Sequence, residues 1–158
     1  MYEVKINLEE LKKKNIIYLD KVQDGFNKYS NMILEGTEDE VNKGIRDIVK
    51  ENGLENSYAD FYYGRLDEEA KNNVRAALDE KEIALIESLK LEENEIFLRL
   101  NPELLEILLK LTAKEVLFSS FYFSKYPCTV WGNYGRKYPI FFKDNSVMKI
   151  VMEEILTK

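Results

Sequence analysis

The first third of the chain carries apolar residues at the spacings of a strand and then of a helix. A short strand is predicted where apolar and polar residues alternate, at Tyr2, Val4 and Ile6. Asn7, followed three residues later by Glu10, resembles a helix-capping box. Apolar residues then return every three or four positions, which predicts one long amphipathic helix ending at Gly36. Its apolar positions are Leu8, Leu11, Tyr18, Leu19, Val22, Phe26 and Ile33.

Two further helices are predicted in the middle of the chain. Thr37 and Glu40 form a second capping box, and Gly53 stands where a helix C-terminus favours glycine. The apolar stripe between them is Val41, Ile45, Ile48 and Val49. Residues 54–66 are irregular and predict a packed connection, after which Asp67 can cap a third helix. Its apolar positions are Val74, Ala77, Leu78, Leu85 and Leu89.

A strand, a buried helix and an internal strand are predicted next. Residues 95–100 alternate in polarity, as in a strand. Asn101 and Pro102 supply a helix cap and a first helical residue. The helix that they begin is apolar around most of its circumference, so we expect it to be buried. Residues 116–124 are too apolar for a strand with one face in water, so this strand should be internal.

The tripeptide Lys-Tyr-Pro occurs twice within KYPCTVWGNYGRKYPIFF, at residues 125–142. Proline is tolerated where strands begin, so Pro127 and Pro139 are each expected to open one. The segment between the strands, Gly132 to Arg136, is rich in residues that accept a positive φ, which predicts a β-hairpin with a loop of about five residues. Asn145 and Ser146 can cap a final helix.

These patterns predict an α+β fold. Helices from the N-terminal two-thirds should pack on a small antiparallel sheet formed mainly by the C-terminal third, with a helix at the C-terminus. The 158 residues fit a single domain, 1–158. No apolar run approaches the roughly 20 residues that span a bilayer. The single cysteine cannot form an internal disulfide, and we therefore expect a cytoplasmic protein.

Charge is unevenly distributed along the chain. Residues 1–110 contain 16 Lys and Arg against 25 Asp and Glu, whereas residues 111–158 contain 7 against 4. Within the acidic part, residues 35–69 alone carry 11 acids and 4 bases. Such a field repels nucleic acid and favours basic partners. The alternative interpretation is that these acids only keep the protein in solution.

The composition removes most familiar catalytic chemistry. The chain has no histidine, which excludes Ser-His-Asp and Cys-His catalysis and His-containing zinc sites. Cys128 has no feature that would lower its pKa, and we expect it to be a small buried apolar residue. No phosphate-binding glycine loop occurs. We therefore expect no enzyme, cofactor or metal. An enzyme that uses carboxylates, with or without Mg²⁺, remains an alternative.

A second alternative is single-stranded nucleic-acid binding by the C-terminal hairpin, where aromatic and basic residues are interleaved. These are Lys125, Tyr126, Trp131, Tyr134, Arg136, Lys137, Tyr138 and Lys143. Such a surface can stack bases. The acidity of the whole chain disfavours this function, and 18 of its 23 cationic residues are lysines, with Arg136 the one arginine in the last third.

The preferred hypothesis is an interaction protein that binds another macromolecule and inhibits or neutralises it. Immunity proteins, antitoxins and phage-encoded inhibitors share its small size and acidity. We expect a protein partner with a basic surface, such as a nuclease or toxin, and neither nucleic acid nor a membrane; a homo-oligomer stays open. The predicted partner-binding residues are Trp131, Asn133, Tyr134, Arg136, Tyr138, Glu38, Asp39, Glu40, Asp60, Glu68 and Glu69.

Overall fold

One antiparallel sheet organises the computed structural model, which describes residues 3–157. Its six strands are β1 Ser30–Glu35, β2 Ser57–Asp60, β3 Phe97–Arg99, β4 Ser120–Phe123, β5 Cys128–Trp131 and β6 Lys137–Phe142. They lie in the order β1-β6-β5-β4-β2-β3, and each neighbouring pair is antiparallel. The three C-terminal strands therefore form the middle of the sheet, and the three earlier strands extend it on both sides.

Helices from the whole length of the chain pack around this sheet. They are α1 Leu8–Lys12, α2 Val22–Lys28, α3 Glu38–Asn52, α4 Glu68–Ala76, α5 Glu80–Ser88, α6 Pro102–Ala113 and α7 Asn145–Ile150, which continues as the π-helical segment Val151–Ile155. The predicted α+β class is confirmed. None of the helices within residues 3–157 is both long enough and apolar enough to span a bilayer.

The two faces of the sheet are covered by different parts of the chain. One face packs against α3 and α6 in the main core, and it contributes Phe121, Phe123, Cys128, Val130, Ile140 and Phe142. The residues that alternate with these point to the opposite face. There Tyr58, Phe97 and Tyr122 pack against the N-terminal segment, and Phe141 packs against Ile17 and Leu19. Both faces are apolar because both are buried, which explains the unbroken apolar strands.

Three helix or hairpin predictions are confirmed at the level of hydrogen bonds. Thr37 Oγ1 accepts the N–H of Glu40 and Glu40 Oε1 accepts that of Thr37, at 3.2 and 2.9 Å, which completes the capping box of α3. Asn101 caps the buried helix α6. The predicted hairpin pairs β5 with β6. Pro127 directly precedes β5, but Pro139 lies inside β6 because that strand begins two residues earlier.

The predicted long helix from residue 7 to 36 is wrong. The structure divides it into α1, α2 and the edge strand β1, which pairs with β6. The apolar spacing fitted a helix, but the edge of β6 has backbone N–H and C=O groups that need hydrogen-bond partners, and residues 30–35 provide them. The predicted N-terminal strand is reduced to one isolated bridge between Lys5 and Leu98. Tyr2 lies outside the described residues.

Three smaller differences concern where elements begin and end. The predicted connection at residues 54–66 contains the buried strand β2. The predicted third helix is two helices, because Asp79 forms a capping box with Glu82 and starts α5. The final helix is capped by Asp144, which accepts the N–H of Val147 at 3.0 Å. The predicted cap at residues 145–146 was therefore one residue late.

Candidate functional site: an aromatic and acidic pocket at the hairpin

A pocket lies where the ends of three central strands meet. Ser120 at the start of β4 pairs with Trp131 at the end of β5, and Asp60 ends β2 beside them. The pocket has a volume of about 230 Å³. We call it the hairpin pocket, and its lining residues are Asp60, Tyr62, Phe118, Ser119, Ser120, Trp131, Gly132, Asn133 and Tyr134. Four predicted partner-binding residues from two distant parts of the sequence are thus brought together.

Asp60 is the one acidic residue in the lining of the hairpin pocket. Its side chain accepts a hydrogen bond from the Ser120 N–H at 2.8 Å and another from the Tyr122 hydroxyl at 3.1 Å. The residue is only 4% exposed. Burial raises the pKa of Asp60 from its ordinary 3.8 to about 7, although both hydrogen bonds act in the opposite direction. Near neutral pH this carboxyl can therefore both release and take up a proton.

Three tyrosines surround the buried carboxyl from different elements. Tyr122 on β4 stacks with Tyr18 at a ring separation of 6.5 Å, and the Tyr18 hydroxyl donates to Asp20 at 3.0 Å. Burial, with a smaller contribution from nearby carboxylates, raises the pKa of Tyr18 to about 12 and also raises that of Tyr62 and Tyr122. All three phenols are neutral hydrogen-bond donors at physiological pH, so negative charge here belongs to the carboxylates.

The rim of the hairpin pocket is aromatic and exposed. Tyr134 is 68% exposed, more than any other large apolar side chain within residues 3–157, and its ring meets Phe118 edge-on at 4.7 Å. Trp131 is half-buried and packs towards Ile17 and Leu19 on its other side. Asn133 is exposed on the same turn. The hairpin turn thus exposes the ring of Tyr134 and part of the ring of Trp131 to solvent.

Arg136 fastens this turn to two helices. Its guanidinium donates to the Gly36 carbonyl, just before α3, and to the Ala113 carbonyl at the end of α6, each at 3.4 Å. Glu115 accepts the N–H of Gly135 at 2.8 Å from the same side. Arg136 itself has a φ of +50°, a conformation that costs energy and persists because these contacts stabilise it. Arg136 therefore has a structural role in the turn, and its predicted role in partner binding would come in addition to this one.

The other predicted site residues are spread over different environments. Tyr138 is 1% exposed and lies in the core rather than on an outer surface, whereas Asp60 is 4% exposed but lines the hairpin pocket. Asp39, Glu40, Glu68 and Glu69 are exposed, and Glu38 is half-buried and pairs with Lys114 at 3.5 Å.

The two acidic groups differ in their position relative to the hairpin. Residues 38–40 begin α3 two positions after Gly36, whose carbonyl accepts a hydrogen bond from Arg136, so they lie beside the hairpin turn. Glu68 on α4 instead pairs with Arg75 at 2.5 Å. The negative charge beside the hairpin turn therefore comes from the start of α3 and from Glu115.

Sequence reasoning missed part of the pocket lining. Tyr62, Phe118, Ser119 and Ser120 were assigned to a connection or to an internal strand. A signal was available, because Ser119 and Ser120 interrupt an otherwise apolar run. The Ser119 hydroxyl is buried without a hydrogen-bond partner among the described residues. Such a polar pair at the end of a buried strand indicates a site or a turn rather than core.

Gly132 allows the hairpin to approach the backbone of Ser119 closely. A Cβ at this position would lie 2.4 Å from the Ser119 carbonyl oxygen and 2.9 Å from Thr112. We therefore expect Gly132→Ala to destabilise the fold by roughly 1–3 kcal/mol and to distort the pocket. Gly135→Ala in the same turn is the matched control, since a Cβ there would meet open space. Its only cost is the φ of +71°, which we expect to lower the free energy of unfolding by about 1 kcal/mol. Urea unfolding of both variants measures the difference, and equal losses would contradict the close contact.

The arrangement offers binding groups rather than metal ligands. Within residues 3–157 no three Asp, Glu or Cys side chains converge to hold a metal ion. Cys128 is fully buried, and burial raises the pKa of its thiol. The fold and site thus define an α+β protein with a small acidic and aromatic pocket. The chain matches no family model, no curated protein and no solved structure.

Proposed function

We propose that this chain is a small acidic cytoplasmic interaction protein that binds a basic protein and inhibits or neutralises it, as immunity proteins, antitoxins and phage inhibitors do. One observation carries the proposal. Tyr134 stands 68% exposed at the mouth of a pocket that contains Trp131 and the carboxyl of Asp60. Tyrosine and tryptophan dominate binding energy at protein interfaces, above all beside a pocket that a partner can fill.

The charge of the protein supports a basic partner. The chain has a formal net charge of −6 at pH 7. Asp39 and Glu40 are exposed at the start of α3, beside the hairpin turn. Negative charge of this kind raises the association rate with a positively charged surface and gives it a strong salt dependence. It also disfavours the nucleic-acid alternative, because phosphates would be repelled.

Binding would then proceed through two contributions. The carboxylates of α3 accelerate the encounter, and the rim of the hairpin pocket supplies the contacts that slow dissociation. Because the pocket is built from strand ends, its geometry exists before the partner arrives. Little ordering entropy is therefore lost on binding.

The test is capture of partners by tagged protein from its host lysate, at low and at moderate salt, with both protein and nucleic acid identified. We expect one stoichiometric basic protein that is lost as the salt concentration rises. Tyr134→Ala should lose this protein while changing the free energy of unfolding by less than about 0.5 kcal/mol, because the side chain is mostly in solvent. Purified partner is then assayed with and without the wild-type chain for loss of its own activity.

Met152→Ala provides the matched control. Met152 is also an exposed large apolar residue, 38% exposed, but it lies on the C-terminal helical segment. Its variant should retain the partner. Capture of RNA alone, or of proteins that Tyr134→Ala and Met152→Ala retain equally, would refute the proposed interface.

A further inference from the structure

The hairpin pocket contains a carboxyl group without a charged partner. Both groups that donate to Asp60, the Ser120 amide and the Tyr122 hydroxyl, are neutral, and within residues 3–157 no lysine or arginine pairs with it. A carboxylate has about four lone-pair positions, so two donors leave acceptor capacity for a third group. A buried charge is costly unless it is paired. The site is therefore incomplete in a way that a cation would correct.

The walls of the pocket suit a cation that also has an apolar or planar surface. Four aromatic side chains line it, Tyr62, Phe118, Trp131 and Tyr134. Aromatic rings attract ammonium and guanidinium groups through their electron-rich faces, and tryptophan does so most strongly. A hydrated metal ion gains little from such walls, whereas an organic cation gains from both the rings and the carboxylate.

A second polar residue of the pocket lining, Ser119, has a hydroxyl that forms no hydrogen bond among the described residues. The residue is 2% exposed. A buried hydroxyl left unpaired costs free energy. Guanidinium and ammonium groups carry several N–H donors, so a ligand paired with Asp60 has further donors for neutral acceptors of the lining.

We propose that the hairpin pocket binds one organic cation, a guanidinium or alkylammonium group, with Asp60 as its counter-ion and the four aromatic side chains as its walls. The volume of about 230 Å³ is below the roughly 300–1,000 Å³ of pockets that enclose drug-sized ligands, so the pocket accepts a head group rather than a whole ligand. The source of the cation is an arginine or lysine side chain of the basic partner. Only this choice of source rests on the proposed function.

The single tryptophan makes the site directly measurable. Trp131 is the only tryptophan of the chain, so its fluorescence and its indole N–H resonance report on the pocket alone. The probe is Nα-acetyl-arginine amide, and its uncharged analogue Nα-acetyl-citrulline amide has nearly the same shape. We expect a saturable change with the arginine probe and at least tenfold weaker binding of the citrulline probe. Equal responses to both probes would overturn the proposal.

Binding of the arginine probe should depend on pH. Because the cation competes with the proton on Asp60, affinity should rise about tenfold per pH unit below pH 7 and level off above it. The phenols of Tyr18, Tyr62 and Tyr122 stay neutral over this range. Lys12, Asp20 and Arg65 are charged neighbours of these tyrosines, so the profile is also measured in the Asp60→Asn variant, in which it should be flat. A profile that is equally steep in Asp60→Asn would refute Asp60 as the counter-ion.

The variants isolate the counter-ion. Asp60→Asn preserves the shape, and its Oδ1 can still accept the Ser120 N–H while its Nδ2–H donates to the Tyr122 hydroxyl oxygen, so we expect the protein to stay folded. We expect at least tenfold weaker binding of the arginine probe. Glu153→Gln is the charge-matched control. It removes one negative charge from the C-terminal helical segment and should leave binding unchanged. Binding to Asp60→Asn at wild-type affinity would overturn the proposal.

The probe measurements test the cation site and the lysate experiment tests the proposed function, so either proposal can be refuted without the other. A partner that depends on Tyr134, together with no binding of the arginine probe, would refute the cation site and leave the proposed function standing. Millimolar binding of the free probe supports a side-chain head group as the natural ligand, since a fragment lacks the rest of the interface. Micromolar binding of butylammonium or another free amine would overturn the side-chain source and assign the site to a small molecule.

Discussion

Replacing Asp60 by asparagine is expected to stabilise the folded protein at pH 8 by on the order of 4 kcal/mol and to change its stability little at pH 3. The pKa of this carboxyl rises from 3.8 to about 7 on folding, and each unit corresponds to about 1.36 kcal/mol. Between these two values the folded wild type retains a proton that the unfolded chain has lost. Wild-type stability therefore falls as the pH rises from about 4 to 7 and then levels off.

Urea unfolding of wild type and variant across pH 3–8 measures this effect. Other titrating groups contribute equally to both proteins, so the difference between the two curves reports on Asp60. Glu40→Gln is the control of opposite sign, because the hydrogen bonds of the capping box lower the pKa of Glu40. Its carboxylate stabilises the fold at neutral pH, and this contribution disappears as the pH falls. A constant difference between wild type and Asp60→Asn would show that Asp60 ionises normally.

A carboxyl that weakens the fold when it ionises calls for a function. An asparagine could accept the Ser120 N–H with its Oδ1 and donate its Nδ2–H to the Tyr122 hydroxyl oxygen, without the cost of a buried charge. Stability is commonly lost where a site requires a strained or destabilised group. The same replacement that stabilises the free protein is expected to weaken cation binding at least tenfold, and these opposite effects link the stability measurement to the proposed site.

Phe121→Ala is the substitution expected to cost the most stability, about 3–5 kcal/mol. Phe121 is 0% exposed in the middle of β4, opposite Val130, and it packs in the core between the sheet and the helices. Its removal leaves a cavity that the surrounding strands cannot close. Since whole domains are stable by roughly 5–15 kcal/mol, the variant should unfold at a much lower urea concentration.

Phe26→Ala is the matched control for this loss. Phe26 is 40% exposed on α2, where its ring and that of Phe141 meet edge to face with their centroids 5.1 Å apart. We expect its replacement to cost about 1 kcal/mol or less. If Phe121→Ala cost no more than Phe26→Ala, the sheet and the helices would not share the continuous core that the structure shows.

Local sequence signals predicted several elements well. The capping box at Thr37 and Glu40, the Asn-Pro start of α6 and the glycine-rich hairpin turn are all formed by residues a few positions apart. Each signal depends on groups that must bond within one turn of the chain. The sequence is therefore sufficient for them. The overlooked capping box at Asp79 and Glu82 was equally local.

Other elements could not be predicted locally. The apolar spacing of residues 30–35 also suited a helix. They form a strand because they pair with the edge of β6, which lies about a hundred residues later in the chain. Residues 57–60 are short, polar at both ends and entirely buried because strands lie on both sides of them. In both cases the partner strand decides the conformation, and no local pattern encodes the partner.

The sequence by itself determined the α+β class, the starts of α1, α3, α4 and α6, the hairpin and the absence of histidine chemistry, because composition and short-range hydrogen bonding set these properties. It also indicated Trp131, Asn133 and Tyr134 as a group, since they are neighbours in the chain. Only the tertiary structure decided that Asp60 is buried beside them and that Tyr138 is not exposed. Burial and a shifted pKa result from the packing of strands that are far apart in sequence, so they exist only once the sheet has formed.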